Sequence, residues 1–192
     1  MRLPFVIITA ASLAASACGG SDSPTGPSNA GTSFTLMLKD APFTDAKSVL
    51  VTFSEVTAHR DTETDFTNVP FAAGATARTC DLKKLQTSQD LLGVGSLPAG
   101  HYTQIRLVVS SATIYFDNAA GGDACAASIA APAGRNAPIE IPSGTVKLAR
   151  QFTVPTSGST TMLLDFDGDR SIREAGNGRY SMTPVIAVVS VQ

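Results

Sequence analysis

The chain has 192 residues, a formal charge of −2, 43% hydrophobic residues and 16% charged residues, against roughly 25% charged in an average domain. A mildly acidic balance excludes a nucleic-acid binder, which needs a basic face. The length suits one domain that buries a core, and after residue 17 no apolar run approaches the ~18 residues that span a bilayer as a helix.

In chain order the first feature is a secretory signal. Arg2 supplies a positive start, Leu3 to Leu13 is a short apolar run, and Ala14-Ala15-Ser16-Ala17-Cys18 closes it with small side chains. A cysteine directly after three small residues resembles a bacterial lipoprotein signal. That class prefers Leu three residues before the cysteine, where this chain has Ala15. The resemblance implies a diacylglycerol thioether on Cys18, cleavage before it, and a protein tethered to a membrane outside the cytoplasm. Gly19 after the cysteine, rather than Asp, resembles the outer-membrane address of Gram-negative lipoproteins. Removing residues 1–17 takes Arg2 with it and moves the balance to −3.

Residues 19–32 read GGSDSPTGPSNAGT, which cannot bury enough apolar area to offset chain entropy. Residues 18–33 are therefore expected to be a flexible tether spanning about 20 Å as a coil, and residues 34–192 the folded domain.

From Phe34 the texture becomes alternating. Phe34, Leu36 and Leu38 share one strand face, and Asp40-Ala41-Pro42 ends the strand. Val49, Val51 and Phe53 begin a second strand that runs on, kinked, past Val56. A single helical turn is expected at Thr87–Leu92, capped by Thr87 or Ser88. Leu97-Pro98-Ala99-Gly100 is turn chemistry before the longest β-prone stretch, Tyr102–Phe116, where Ser110-Ser111 marks a bulge or bend. Residues 119–137, rich in Ala and Gly, read as a long surface loop. Further strands are expected at Pro138–Ile141, Val146–Val154, Thr160–Phe166, Arg179–Met182 and Val185–Val191. Many short strands between Gly, Pro, Asn and Asp clusters predict an all-β antiparallel sandwich of about seven to nine strands, immunoglobulin-like or prealbumin-like.

The segments TLMLKDAP (35–42), VLVTFSEVTAH (49–59), LPAGHYTQIRLVV (97–109), IPSGTVK (141–147) and LLDFDGDRSI (163–172), followed by Tyr180 and Pro184-Val185-Ile186, occur in a recognisable order. Together they resemble a bacterial lipoprotein family described as domain of unknown function 4382. The resemblance covers about residues 34–190. It implies a secreted, lipid-anchored β-domain and carries over no catalytic residue.

Three cysteines divide under the lipoprotein reading. Cys18 is consumed by lipid, and Cys80 with Cys125 forms an even pair in an oxidising compartment, where a disulfide is expected. The alternative is two buried thiols. Asp165, Asp167 and Asp169 alternate at a strand end, so one face would carry three hard oxygen donors of the kind Ca²⁺ prefers. The calcium-loop pattern breaks at Arg170, where Gly is required, and at Gly176 in place of a bidentate Glu. The alternative is a turn whose carboxylates bond local backbone N–H groups and pair with Arg170 or Arg173.

His59 and His101 have no partner at motif spacing and read as strand-end residues. No nucleophile elbow, phosphate loop, dinucleotide fingerprint or HExxH stretch is present. Tyr102, Tyr115 and Tyr180 read as core, or else as a stacking face for sugars. The expectation is a lipid-anchored envelope protein with a non-catalytic binding or structural β-domain and no cofactor. Its partners would be the membrane, through the lipid, and an envelope protein or glycan. The alternative is a Ca²⁺-dependent accessory protein or enzyme with its site near Asp165–Asp169.

Overall fold

The computed structural model describes residues 31–41 and 46–192. The expected signal segment, Cys18, the expected tether up to residue 30, and Pro42 lie outside the described residues. The strands in chain order are β1 (Thr32–Ala41), β2 (Ser48–Arg60), β3 (Phe66–Asn68), β4 (Arg78–Asp81), β5 (Asp90–Leu97), β6 (Gly100–Tyr115) and β7 (Cys125–Ala126). They continue as β8 (Asn136–Glu140), β9 (Thr145–Leu148), β10 (Phe152–Val154), β11 (Ser159–Asp167), β12 (Ile172–Gly176), β13 (Arg179–Met182) and β14 (Ile186–Val191). Two one-turn helices, α1 (Leu82–Leu85) and α2 (Gly168–Ser171), interrupt them.

The protein is a sandwich-like all-β fold of two sheets. The smaller has the order β14-β11-β1-β5, and the larger runs β12-β13-β8-β6-β2-β4-β7, with β3 also pairing β2 and β9 and β10 also pairing β6. Fourteen strands among the described residues exceed the expected seven to nine, because several are only two to four residues long.

The expected purely antiparallel pairing is corrected at two places. β1 pairs β11 in parallel, and β8 pairs β13 in parallel. Parallel neighbours need long connections, and β1 reaches β11 only after the chain has built most of the larger sheet.

Alternation dictates the core. Phe34, Leu36 and Leu38 of β1 and Met162, Leu164 and Phe166 of β11 are fully buried. They share one apolar cluster with Val49, Val51 and Phe53 of β2 and Ile105, Leu107 and Ile114 of β6. Phe152 of β10 joins the layers: its ring lies 5.8 Å from Phe34 in the smaller sheet and 5.1 Å from Tyr102 in the larger.

The paired serines do mark an irregularity. Thr52 faces Ser111 and Phe53 faces Val109, so Ser110 bulges from β6, and Ser54 bulges from β2 at the next step. The Ser110 hydroxyl donates to the Thr52 carbonyl at 3.2 Å. The expected kink in β2 has this origin.

Other boundaries move. β1 begins at Thr32, two residues before the expected start of the folded domain at Phe34. The Val146–Val154 stretch splits into β9 and β10, both on β6. Gly144 precedes this split because a Cβ there would lie 2.3 Å from the Val109 carbonyl oxygen, while its own carbonyl accepts from Val109 N–H at 2.7 Å. The expected helical turn at Thr87–Leu92 is absent, and Leu91 and Leu92 lie in β5. The turn forms earlier, as α1, because the buried carboxylate of Asp81 accepts from Lys83 N–H at 3.1 Å and caps it. The same carboxylate accepts from Ser48 Oγ at 2.8 Å and Val49 N–H at 3.1 Å.

Cys80 and Cys125 form a disulfide. They are direct cross-strand partners of β4 and β7 with Cα atoms 4.1 Å apart, and both are buried. The bond pins the middle of the loop between β6 and β8, as its lack of large side chains requires. The backbone beside it is satisfied by side chains: Asp90 accepts from Cys125 N–H at 2.8 Å, and Arg78 donates to the Cys125 carbonyl at 3.1 Å. Replacing both cysteines by Ser is expected to cost about 2–4 kcal/mol of unfolding free energy, read from urea denaturation. An unchanged midpoint would contradict a structural role for the bond.

Candidate functional site

The carboxylates singled out in the sequence lie where β1 and β11 end. Asp165 sits opposite Lys39 in the parallel register, and Lys39 Nζ donates to it at 2.9 Å. Asp167 caps α2, accepting from Arg170 N–H at 3.0 Å, with the Arg170 guanidinium 3.8 Å away. Asp40, buried at the end of β1, accepts from Gly168 N–H at 3.1 Å. Asp165 and Asp167 share the outer face of β11 as alternation requires, whereas Asp169 falls within α2 and is exposed. The strand period ends at Gly168, so the third carboxylate is carried out of line. Among the described residues no group of three or more His, Cys, Asp or Glu side chains could hold a metal ion. The local bonding is that of a capped turn, with Arg170 rather than Arg173 as the ionic partner.

The histidines stand at one end of the larger sheet. His59 Nδ1 lies 3.0 Å from Thr103 Oγ1 with its ring against Phe66 at 4.8 Å, and His101 Nδ1 lies 3.1 Å from Asp61 Oδ2 on the surface. Arg106 lies over the same Phe66 ring at 3.9 Å.

The tyrosines separate in role. Tyr102 is fully buried, its hydroxyl donates to the Pro98 carbonyl at 2.8 Å, and burial pushes its phenol above the ordinary value. Tyr115 is buried in a small cluster with Leu50 and Ala120. A sugar-stacking face on all three is therefore corrected, because two of the rings belong to the core. Tyr180 is half-buried beside Phe116, with ring centroids 5.7 Å apart and planes tilted by 43°.

Those two rings line a cleft of about 490 Å³ with Arg135, Asn136, Ala137 and Gly178. Phe116 directly follows β6, Arg135 and Asn136 lead into β8, and Tyr180 lies on β13, so the larger sheet's far corner assembles it. The loop from residue 117 to 134 closes at this point. Phe116 N–H donates to the Arg135 carbonyl at 3.0 Å, and Arg135 donates to Asp117 from Nε at 3.0 Å, Nη2 at 2.8 Å and its backbone N–H at 2.7 Å. The Arg135 guanidinium is held 5.9 Å from the Phe116 ring centroid. Sequence reasoning missed Phe116, Arg135 and Asn136 as a group, since they join only through this closure.

The family model for a domain of unknown function, DUF4382, matches residues 31–184. The chain belongs to the DUF4382 family. No curated protein and no solved structure matches it. The DUF4382 match takes in the disulfide, the carboxylate turn and every residue that lines the cleft, and it ends before β14.

The backbone N–H of Arg135, and then its side chain, hold the Asp117 carboxyl below the ordinary carboxylate range. A lowered folded-state value gives stability that is complete above the unfolded value of about 4 and is lost as pH falls through the lowered value. Wild type is therefore expected to exceed Asp117→Asn in Tm by a constant margin at neutral pH, with the margin closing only below about pH 4. Thermal melts across that range measure it, and a margin unchanged in strong acid would contradict the ion pair.

Proposed function

We propose that the protein is a lipid-anchored envelope protein whose β-domain is a non-catalytic binding module presenting the Phe116–Tyr180 cleft. One observation carries the reading: the cleft lies at the opposite end of β6 from the point where the chain enters the domain. The Thr32 hydroxyl, at the start of β1, donates to the Pro155 carbonyl, and the adjoining Val154 pairs Gly100 at the first residue of β6. Phe116 follows the last residue of the same strand. Sixteen residues at about 3.3 Å each give a strand path of up to about 50 Å, shortened end to end by the bend at Ser110.

A thioether on Cys18 would therefore hold the entry end near the headgroups and leave the cleft facing outward. The Gly/Ser/Pro tether adds about 20 Å of slack, enough for the domain to clear the surface. The signal segment supports an extracytoplasmic address, and Gly19 supports the outer membrane of a Gram-negative cell. The disulfide is of the kind such oxidising compartments maintain. A partly buried aromatic pair at the edge of the core with a fixed guanidinium at its rim supports recognition rather than a centre of activated groups.

Cys18→Ser is expected to leave an unlipidated, unanchored precursor or a soluble form in place of the membrane-bound protein. Cell fractionation with mass measurement of the mature N-terminus checks this. Unchanged membrane association of the Ser variant would remove the anchor from the account.

A further inference from the structure

We propose that the Phe116–Tyr180 cleft takes a hexopyranose unit of a neutral glycan. The proposal rests on the reading of this cleft as the ligand site and names the chemistry that it recognises. At about 490 Å³ the cleft falls within the range of small-ligand sites and has room for a sugar unit and part of its neighbour.

Its walls match the two-sided character of such a ring. A pyranose presents C–H bonds on one face and hydroxyls around its edge. Aromatic rings offer an electron-rich face to C–H groups, and the rings of Phe116 and Tyr180, tilted by 43°, form an angled notch that touches a ring on its face and its flank. Three of the lining residues keep polar atoms available to hydroxyls. The Tyr180 hydroxyl makes no hydrogen bond among the described residues. Asn136 uses its amide nitrogen on the Gly134 carbonyl at 3.2 Å, leaving its side-chain oxygen to accept. Arg135 uses Nε and Nη2 on Asp117, leaving Nη1 to donate. The lip at Gly178 is open, and a Cβ built there meets no atom within 4 Å.

The same residues disfavour other ligand classes. The guanidinium charge of Arg135 is already compensated by Asp117, so an anion gains little beyond what a hydroxyl gains. No carboxylate, thiolate or imidazole lines the cleft to take a cation. An extended peptide adds to a sheet through unpaired backbone groups, whereas at this corner Tyr180 and Ser181 already pair Ile139 and Glu140.

The test uses the full lipidated chain in detergent micelles, titrated with neutral hexaoses of glucose, N-acetylglucosamine and mannose. Polygalacturonate and an immobilised peptide library serve as probes of the other classes. Saturable binding of at least one neutral hexaose is expected by calorimetry, with saturation transfer from aromatic protons to the sugar C–H face. Tyr180→Ala should weaken it about tenfold or more, while Tyr180→Phe, which keeps the ring, should retain most of it. Asn136→Trp fills the cleft from an exposed rim position and should also abolish binding, which guards against misfolding of the Tyr180→Ala variant. The sugar assignment is overturned if no hexaose binds, or if binding survives both Tyr180→Ala and Asn136→Trp. Should polygalacturonate or a peptide instead bind in a manner lost in Asn136→Trp, the neutral-glycan assignment is wrong and the cleft remains the ligand site. If no probe depends on the cleft, the binding-module reading falls with the sugar.

Discussion

The antiparallel ladder between β2 and β6 is the constraint on which the rest of the molecule depends. It runs from Ser48 opposite Tyr115 to Arg60 opposite Tyr102, with bulges at Ser54 and Ser110 that bend both strands together. One face of this ribbon supplies Val49, Val51, Phe53, Ile105, Leu107 and Ile114, on which the smaller sheet packs. The free edge of β6 is shared by β8, β9 and β10 along its length. A shift of register by one residue would turn the whole apolar set outward, so burial specifies the pairing strongly. The cleft residues take their places from this edge: Phe116 follows β6, and Asn136 pairs it through β8.

The long excursion between β6 and β8 illustrates how a segment poor in apolar side chains is ordered. Closing such a loop costs entropy that grows slowly with length, and this one is tied at its middle and at its ends. The disulfide and the Arg78 and Asp90 side chains hold the middle. Lys84 adds its ammonium to the carbonyls of Gly121 and Gly122 at 3.0 and 2.7 Å. The Phe116–Arg135 bond and the Asp117–Arg135 pair hold the ends. These last contacts also set the cleft rim, so the loop's closure and the geometry of the candidate site are one structural event.

What could be read from the sequence was whatever alternation encodes locally. β1 and β11 are legible because their buried residues recur every second position, β2 and β6 because Val49, Val51, Phe53 and Ile105, Leu107, Val109 alternate on the core face, and the Ser110-Ser111 break marks the bulge. Cysteine parity pointed to the Cys80–Cys125 bond. β5 was illegible because Gly93 and Gly95 interrupt its pattern; a Cβ on Gly95 would lie 2.6 Å from Pro70 Cδ, and Val94 N–H donates to the Pro70 carbonyl. The helical turn was misplaced because its cap, Asp81, is a buried residue whose other partners lie on β2. The parallel pairings are non-local, and no short-range signal announces them. Asp169 left the line of Asp165 and Asp167 because α2 replaces the strand period at Gly168. The cleft was hidden for the same reason as the sheet order, since Phe116, Arg135 and Tyr180 meet only through tertiary pairing.

The opposition of chain entry and cleft along β6 has a direct physical readout in a bilayer. Thr153 pairs His101 near the entry end, and Asn136 pairs Tyr115 near the cleft, and both side chains are exposed. Fluorescent donors placed singly at Thr153→Cys and Asn136→Cys can be compared for energy transfer to headgroup acceptors in vesicles carrying the lipidated protein. Strong transfer is expected from position 153 and much weaker transfer from position 136, since up to about 45 Å of strand path lies between them. Equal transfer, or stronger transfer from position 136, would contradict outward presentation of the cleft.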